Sequence, residues 1–216
     1  MRIDIFSDTI CPWCYIGKKR FEKALVQRSG LDLDIHWRAF QLNPDMPDAG
    51  MDRKHYVETK FGGPERAREV YARVAAAGAG EDIAFNFAGI VRTPNTVASH
   101  RLIRHADDQP GGQDAVVDAL FEAYFIRGED IGDIEVLVAA AQQANLDPHA
   151  VREFLHGDEH AHAVLAEDAR ARQLGIQGVP FFVVNNKYGI SGAQSPEVFL
   201  QVFDEAHADE EVDAVD

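Results

Sequence analysis

Residues 1–25 change periodicity across a single four-residue motif, and that change fixes how the chain begins to fold. Met1-Arg2-Ile3-Asp4-Ile5-Phe6-Ser7-Asp8 alternates apolar and polar residues at period two, the pattern of a half-buried strand. Beyond it, Cys14, Gly17, Phe21 and Leu25 recur at helical spacing, while Lys18, Lys19, Glu22 and Lys23 fall on other faces. The junction is Cys11-Pro12-Trp13-Cys14. Pro12 suits a first helical position, where its missing N–H costs nothing, so Cys11 stands at a helix N-terminus.

These two cysteines are the only ones in the chain, which makes redox chemistry the first hypothesis. Unpaired N–H groups and the positive end of the helix dipole favour a thiolate at such a terminus. Cys11 is therefore expected to be the nucleophile and Cys14, one turn further in and shielded, the resolving thiol. Lys18 and Lys19 are expected to be minor helpers, because two helical turns is about 11 Å and the physiological Debye length is about 8 Å. A structural zinc site would need two more ligands at suitable spacing, and no second C-x-x-C or paired His motif supplies them. Two inert buried thiols have no reason to sit at this spacing between a strand and a helix.

A second informative stretch lies near the other end. Gly175-Ile176-Gln177-Gly178-Val179-Pro180 is a Gly-rich turn leading into Phe181-Phe182-Val183-Val184, a strand whose first position tolerates proline. A strand, CPWC opening a helix and a distant Gly-Val-Pro before a strand resemble the thioredoxin superfamily. That resemblance implies a cis Val179–Pro180 bond beside the two sulfurs, with Val179 offering its N–H and C=O to an extended polypeptide.

About 165 residues separate the two motifs, more than a bare thioredoxin core requires. The intervening composition is helical over Arg53–Ala77, Thr96–Ala106, Asp114–Phe125, Ile134–Ala144 and Asp158–Leu174. Breaks are expected at Gly62-Gly63-Pro64, Gly78-Ala79-Gly80, Gln109-Pro110-Gly111-Gly112 and Asp147-Pro148. The expected fold class is α/β, a thioredoxin-like fold interrupted by a large all-helical insertion. Its parts are a first thioredoxin-like segment over 1–48, the insertion over 49–165, a second thioredoxin-like segment over 166–207 and an acidic, disordered tail over 208–216.

Such an architecture resembles the DsbA family, and more closely its cytoplasmic FrnE-like branch, related to 2-hydroxychromene-2-carboxylate isomerases and kappa-class glutathione transferases. The residues that carry this run from Ser7-Asp8-Thr9-Ile10-Cys11-Pro12-Trp13-Cys14-Tyr15-Ile16-Gly17 through Phe40-Gln41-Leu42-Asn43-Pro44 and Asn95-Thr96-Val97-Ala98-Ser99-His100-Arg101-Leu102. They continue with Phe121-Glu122-Ala123-Tyr124-Phe125 running to Asp130-Ile131, Gly178-Val179-Pro180-Phe181-Phe182 and Ser191-Gly192-Ala193-Gln194. The resemblance implies a protein disulfide oxidoreductase without a resident cofactor, acting on polypeptide or small-molecule thiols and disulfides, with glutathione as a candidate co-substrate. The alternative it leaves open is a glutathione-dependent isomerase or transferase acting on a small aromatic or hydrophobic substrate.

Two departures bear on this. The middle dipeptide is Pro12-Trp13, where the periplasmic oxidases that name the family carry Pro-His, so one thiolate-stabilising donor is replaced by an indole. The buried acid often found six residues before the first cysteine is here Ile5, which leaves Asp4 or Asp8 to serve as proton acceptor for Cys14 or to be solvated strand-end residues. The isomerases and transferases carry a single Ser or Cys where this chain has a full pair, which favours dithiol chemistry.

The remaining composition excludes more than it assigns. A formal net charge of -15 disfavours nucleic acid and anionic membrane surfaces, since phosphate binding needs clustered Lys and Arg. No apolar run approaches the length of a membrane span and no basic region precedes an apolar one at the start, so a cytoplasmic location is expected, where disulfides are transient and catalytic. His156, His160 and His162 read as surface polarity rather than a metal set, because a helix boundary at Gly157-Asp158 separates them, and no metal site is expected. Asn95 and His100 carry two readings each: a place on the active-site rim, or a helix cap for Asn95 and a domain-interface filler for His100. Homodimerisation through the helical part or an edge strand is expected without a stretch that specifies it.

Overall fold

The first strand enters the helix with no intervening element, as the change of period requires. The structure, a computed structural model, describes residues 1–28, 30–109 and 112–213, with side chains to residue 210. Strand β1 (Arg2–Ser7) is followed by helix α1 (Pro12–Gln27), with Pro12 in its first turn and Cys11 as the N-cap residue. Strand β2 (Asp34–Ala39) lies parallel to β1, residue for residue from Arg2↔Asp34 to Ser7↔Ala39.

Between β2 and the returning half of the sheet come strand β3 (Met51–Asp52), helices α2 (Arg53–Phe61) and α3 (Pro64–Ala79) and strand β4 (Arg92–Thr93). Helices α4 (Val97–His105) and α5 (Gly112–Phe121) follow, then a π-helical segment Glu122–Arg127, α6 (Ile134–Gln143), α7 (Pro148–His156) and α8 (Ala161–Gln173). Strand β5 (Phe181–Val184) then runs antiparallel to β1, β6 (Tyr188–Ser191) antiparallel to β5, and α9 (Pro196–Asp213) closes the fold. The sheet order is β2-β1-β5-β6, while β3 and β4 pair separately within the helical part.

Because β1 is an inner strand, it is not half-buried as its alternation suggests: every residue after Arg2 is buried. Ile3, Ile5 and Phe182 join the core with Phe21 of α1, whose ring lies 5.5, 5.6 and 6.1 Å from those of Phe182, Phe199 and Phe203. Asp4 survives on the other face as an ion pair. Burial raises its pKa, but Arg2 at 2.9 Å and Arg38 at 2.6 Å outweigh that and hold it below the ordinary carboxylate range.

The edge strand β2 explains how the insertion docks. The amides of Trp37, Ala39 and Gln41, at i, i+2 and i+4, point to the same free edge, where unpaired N–H groups invite aggregation unless covered. Each finds a side-chain acceptor: Gln113 Oε1 at 2.8 Å, Glu167 Oε2 at 3.1 Å and Asp168 Oδ1 at 2.8 Å. Helices α5 and α8 thereby complete the sheet edge with side chains.

Lys18 supplies a second tie. Its side chain is fully buried, and its ammonium binds Glu22, Asp114 at 3.0 Å and Asp118 at 2.8 Å, linking α1 to α5. Burial alone would lower its pKa, yet Asp114, Asp118 and Glu22 together raise it. Lys19 binds Glu22 and Asp118 as well. Both lysines thus hold helices together rather than assist a thiolate.

Several boundaries differ from the sequence reading. The helical run expected from Asp158 starts at Ala161, with His160 before it in a left-handed conformation at φ 64°. Helix α7, whose end at Gly157 the sequence marks but whose span it does not, opens at Pro148 and is capped by Asp147, which accepts from His149 N. The boundary drawn between residues 165 and 166 cuts through α8, whose Glu167 and Asp168 bind the sheet edge. The expected disordered tail is helical to Asp213: Asp209 binds Lys187 and Tyr188, and Glu210 accepts from Asn185 Nδ2 at 2.8 Å. The Glu211 and Asp213 side chains, Asp216 and the break at Pro110-Gly111 lie outside the described residues.

Candidate active site

Cys11 and Cys14 face the turn before β5. Both are free thiols, Cys11 4% and Cys14 1% exposed. The Val179–Pro180 peptide is cis, and the Cys11 thiol donates to the Val179 carbonyl at 3.5 Å. Val179 is half-buried, Pro180 is buried, and Trp13 at 39% exposure marks the side on which solvent reaches the motif.

Close approach of α1 to this turn depends on Gly17. A Cβ built there would lie 2.8 Å from Pro180 Cγ and 3.6 Å from Ala193 Cα, and a proline ring cannot swing aside. Gly17→Ala should therefore cost about 1–3 kcal/mol, the usual range for overpacking, and displace Pro180 from the sulfurs. The midpoint of denaturant unfolding reports the first effect, and a slower reaction of Cys11 with a disulfide the second.

The two sulfurs differ in environment. Burial pushes the Cys14 thiol well above its ordinary pKa, Cys11 adds to this, and donation from the Ser7 hydroxyl and the Asp8 N–H opposes it without prevailing. Since the folded pKa exceeds the unfolded one, Cys14 binds its proton more tightly in the native state. Its contribution is complete below the unfolded thiol pKa of about 8.5 and is lost as pH rises above it, by up to about 1.4 kcal/mol per pH unit. Reduced wild type should accordingly lose stability relative to Cys14→Ala on raising the pH from 8 to 10, as measured by paired urea titrations.

Asp8 is fully buried at the end of β1. Its backbone carbonyl accepts from Cys11 N at 3.0 Å, and its Oδ2 accepts from Leu42 N at 2.7 Å. Its Oδ1 has no hydrogen-bond partner and faces His100 Nε2, itself unpartnered, at 3.5 Å. His100 is 4% exposed. Thr9 Oγ1 and Ser99 Oγ, 2.8 Å apart, make a parallel link between the motif and α4. Asn95 Oδ1 accepts from Val97 N at 2.9 Å, and its Nδ2 donates to Met46 O at 2.8 Å. His100 thus sits inside the domain contact beside Asp8, and the half-buried Asn95 binds the start of α4 to the loop after β2.

Sequence reading missed Ser7, Gly17 and Tyr56. Tyr56 lies on α2: burial raises its phenol pKa, a hydrogen bond with Asn43 and the charge of Arg53 oppose the rise, and Asp8 and Cys11 add smaller contributions to it. A cavity of about 300 Å³ opens alongside, lined by Leu42, Asn43, Pro44, Met46, Tyr56 and Lys60 among others. Spacing puts Gly17 on the helix face of Cys14 without revealing its approach to Pro180, and Tyr56 carries no local signal. His156 and His162 are exposed, and the ring of His160 lies 5.7 Å from that of Phe154. Among the described residues the one group of three or more such ligands close enough to share an ion is Glu22, Asp114 and Asp118, where the Lys18 ammonium already sits.

A family model described as a DSBA-like thioredoxin domain matches residues 2–204. The chain belongs to the DsbA-like thioredoxin domain family. A probable DsbA oxidoreductase from Streptomyces coelicolor, SCO1869, is 36% identical and superposes with a TM-score of 0.86 over 96% of this chain and 90% of that one. The uncharacterized protein YwbO of Bacillus subtilis (strain 168) is 24% identical over 92% of this chain and 94% of its own length. A 2-hydroxychromene-2-carboxylate isomerase shares the fold, with a TM-score of 0.69 over both full chains at 17% identity. Among the described residues no helix is long and apolar enough to cross a membrane.

Proposed function

We propose that this DsbA-like protein is a thiol–disulfide oxidoreductase working through Cys11 and Cys14. The observation that carries the reading is the cis Val179–Pro180 turn against a two-cysteine helix N-terminus, with the Cys11 sulfur 3.5 Å from Val179 O and Cys14 buried behind it. In the reducing direction the Cys11 thiolate attacks one sulfur of a substrate disulfide. A Cys11–substrate S–S bond forms, the substrate S–S bond breaks, and the leaving sulfur departs as a thiolate that takes up a proton. Cys14, having given up its proton, attacks Cys11 Sγ, closes the internal disulfide and expels the second substrate thiolate. Two protein thiols are oxidised and one substrate disulfide is reduced to two thiols; the oxidising direction is the reverse.

In this reading Pro12 and Trp13 shape the approach to Cys11. An incoming extended chain takes the Val179 N–H and displaces the Cys11 thiol from the Val179 carbonyl. Asp8 positions the motif through Leu42 N and stands with His100 as the acceptor for the Cys14 proton, the place that Ile5 leaves vacant. Substrates are thiols and disulfides, glutathione among them.

The reading is tested by stoichiometry. Reduced protein mixed with a disulfide peptide should lose two thiols for each peptide disulfide reduced. An isomerase or transferase using Cys11 alone would leave Cys14 free and consume none or one, and that count would displace the oxidoreductase reading.

A further inference from the structure

The sheet has a second functional-looking face, opposite α1. Ile3, Ile5 and Phe182 point to the main core, whereas Phe6 belongs to a separate apolar cluster that packs Phe181 and Val183. On that side lies an open cavity of about 860 Å³. Its floor is apolar: Phe6, Ile176, Phe181, Val183 and the half-exposed Leu174. Its rim is cationic, formed by Arg2, Arg38, Arg104, Arg170 and Lys187, the last already paired with Asp209.

That concentration runs against the rest of the molecule. Five of the chain's 21 Lys and Arg line this cavity, and only two of its 36 Asp and Glu, namely Asp4 and Glu167. Both acids are bound locally, Asp4 by Arg2 and Arg38, and Glu167 by Arg38 at 3.5 Å and Arg104 at 2.5 Å. Donors are left over. The Arg104 Nε–H is buried without an acceptor. Among the described residues the side chain of Arg170, one helical turn after Glu167, has no hydrogen bond or ion pair.

We propose that this cavity binds an amphipathic organic anion, a small molecule whose carboxylate or sulfonate meets Arg104 and Arg170 and whose apolar body lies on Phe6, Phe181 and Val183. The volume falls within the roughly 300–1,000 Å³ of small-molecule sites, which are mostly apolar with a few convergent polar groups. A net charge of -15 repels an extended polyanion, which must cross the surrounding acidic surface. A compact anion inside the cavity instead sees chiefly the charges within a Debye length of about 8 Å. The site is separate from the cysteines, although Phe6 precedes Ser7 and Phe181 follows Pro180 in the chain, and it does not depend on the redox reading.

A matched pair of fluorescent probes tests it on the full-length protein. The anion 8-anilinonaphthalene-1-sulfonate should bind one equivalent at least tenfold more tightly than neutral N-phenyl-1-naphthylamine, which lacks the sulfonate. Arg104→Gln with Arg170→Gln should weaken the anion at least tenfold and leave the neutral probe unchanged, while Cys11→Ser with Cys14→Ser should change neither. Since Arg104 also holds Glu167, the single variant Arg170→Glu, at an exposed and unpartnered position, keeps the test sound if the double variant fails to fold; it too should weaken the anion tenfold. Equal affinity for the two probes, anion binding indifferent to Arg170→Glu, loss of binding on removing the cysteines, or a dimer in solution that Arg170→Glu dissociates would each overturn the proposal.

Discussion

Cys11→Ser should reduce disulfide exchange to the uncatalysed background, while Cys14→Ser should retain the first step and accumulate mixed disulfides through Cys11. The asymmetry follows from position. Cys11 is the N-cap residue, beside exposed Trp13 and against Val179 O, where an incoming disulfide meets it first. Cys14 lies behind it, its thiol held well above the ordinary pKa by burial, so it reacts once a mixed disulfide places a sulfur within reach. Non-reducing electrophoresis with a disulfide-bonded client resolves the outcomes: a protein–client adduct in Cys14→Ser and none in Cys11→Ser. Equal trapping by both variants would contradict the division of roles.

The largest expected stability effect lies away from the sulfurs, at Lys18. Its ammonium is the shared counter-ion of Glu22, Asp114 and Asp118 and is fully buried. Lys18→Met keeps much of the stem's packing but leaves three carboxylates facing one another with only the half-buried Lys19, 3.0 Å from Glu22 and 3.5 Å from Asp118, to offset them. Removing one partner of a buried ion pair typically costs about 3–5 kcal/mol. Here the acids are 34 to 59% exposed at the side chain and water screens them in part, so about 2–4 kcal/mol is expected. Urea unfolding at neutral pH measures it. Adding Asp118→Asn should recover part of the loss by removing one of the opposed charges, and a loss unaffected by that second change would refute the electrostatic account.

Much of the site was legible because it is encoded locally. The switch from period two to period 3.6 places Cys11 at a helix start, and Gly178-Val179-Pro180 before an aromatic and β-branched run marks the facing turn; neither needs knowledge of the rest of the chain. What was not legible depends on partners remote in sequence. Asp4 reads as an outward strand residue until Arg38 arrives from β2 to bind it. Asp8 and His100 are 92 positions apart and meet only through the docking of α4. Gln113, Glu167 and Asp168 look like ordinary helix-surface residues, and nothing nearby in sequence says that they complete the edge of β2. The acidic C-terminal run misled for the same reason. A count of charges does not reveal that Lys187, Tyr188 and Asn185, on and beside the last hairpin, partner its first two acids.

The central claim is that Cys11 and Cys14 interconvert as one dithiol–disulfide couple. Equilibrating the protein in a series of glutathione redox buffers, then alkylating and weighing it, reads the fraction of internal disulfide at each potential. The account predicts a single two-electron transition, tenfold in ratio for each change of about 30 mV, with Cys11 and Cys14 lost together. Glutathione accumulating on Cys11 alone, with Cys14 alkylated at every potential, would contradict it.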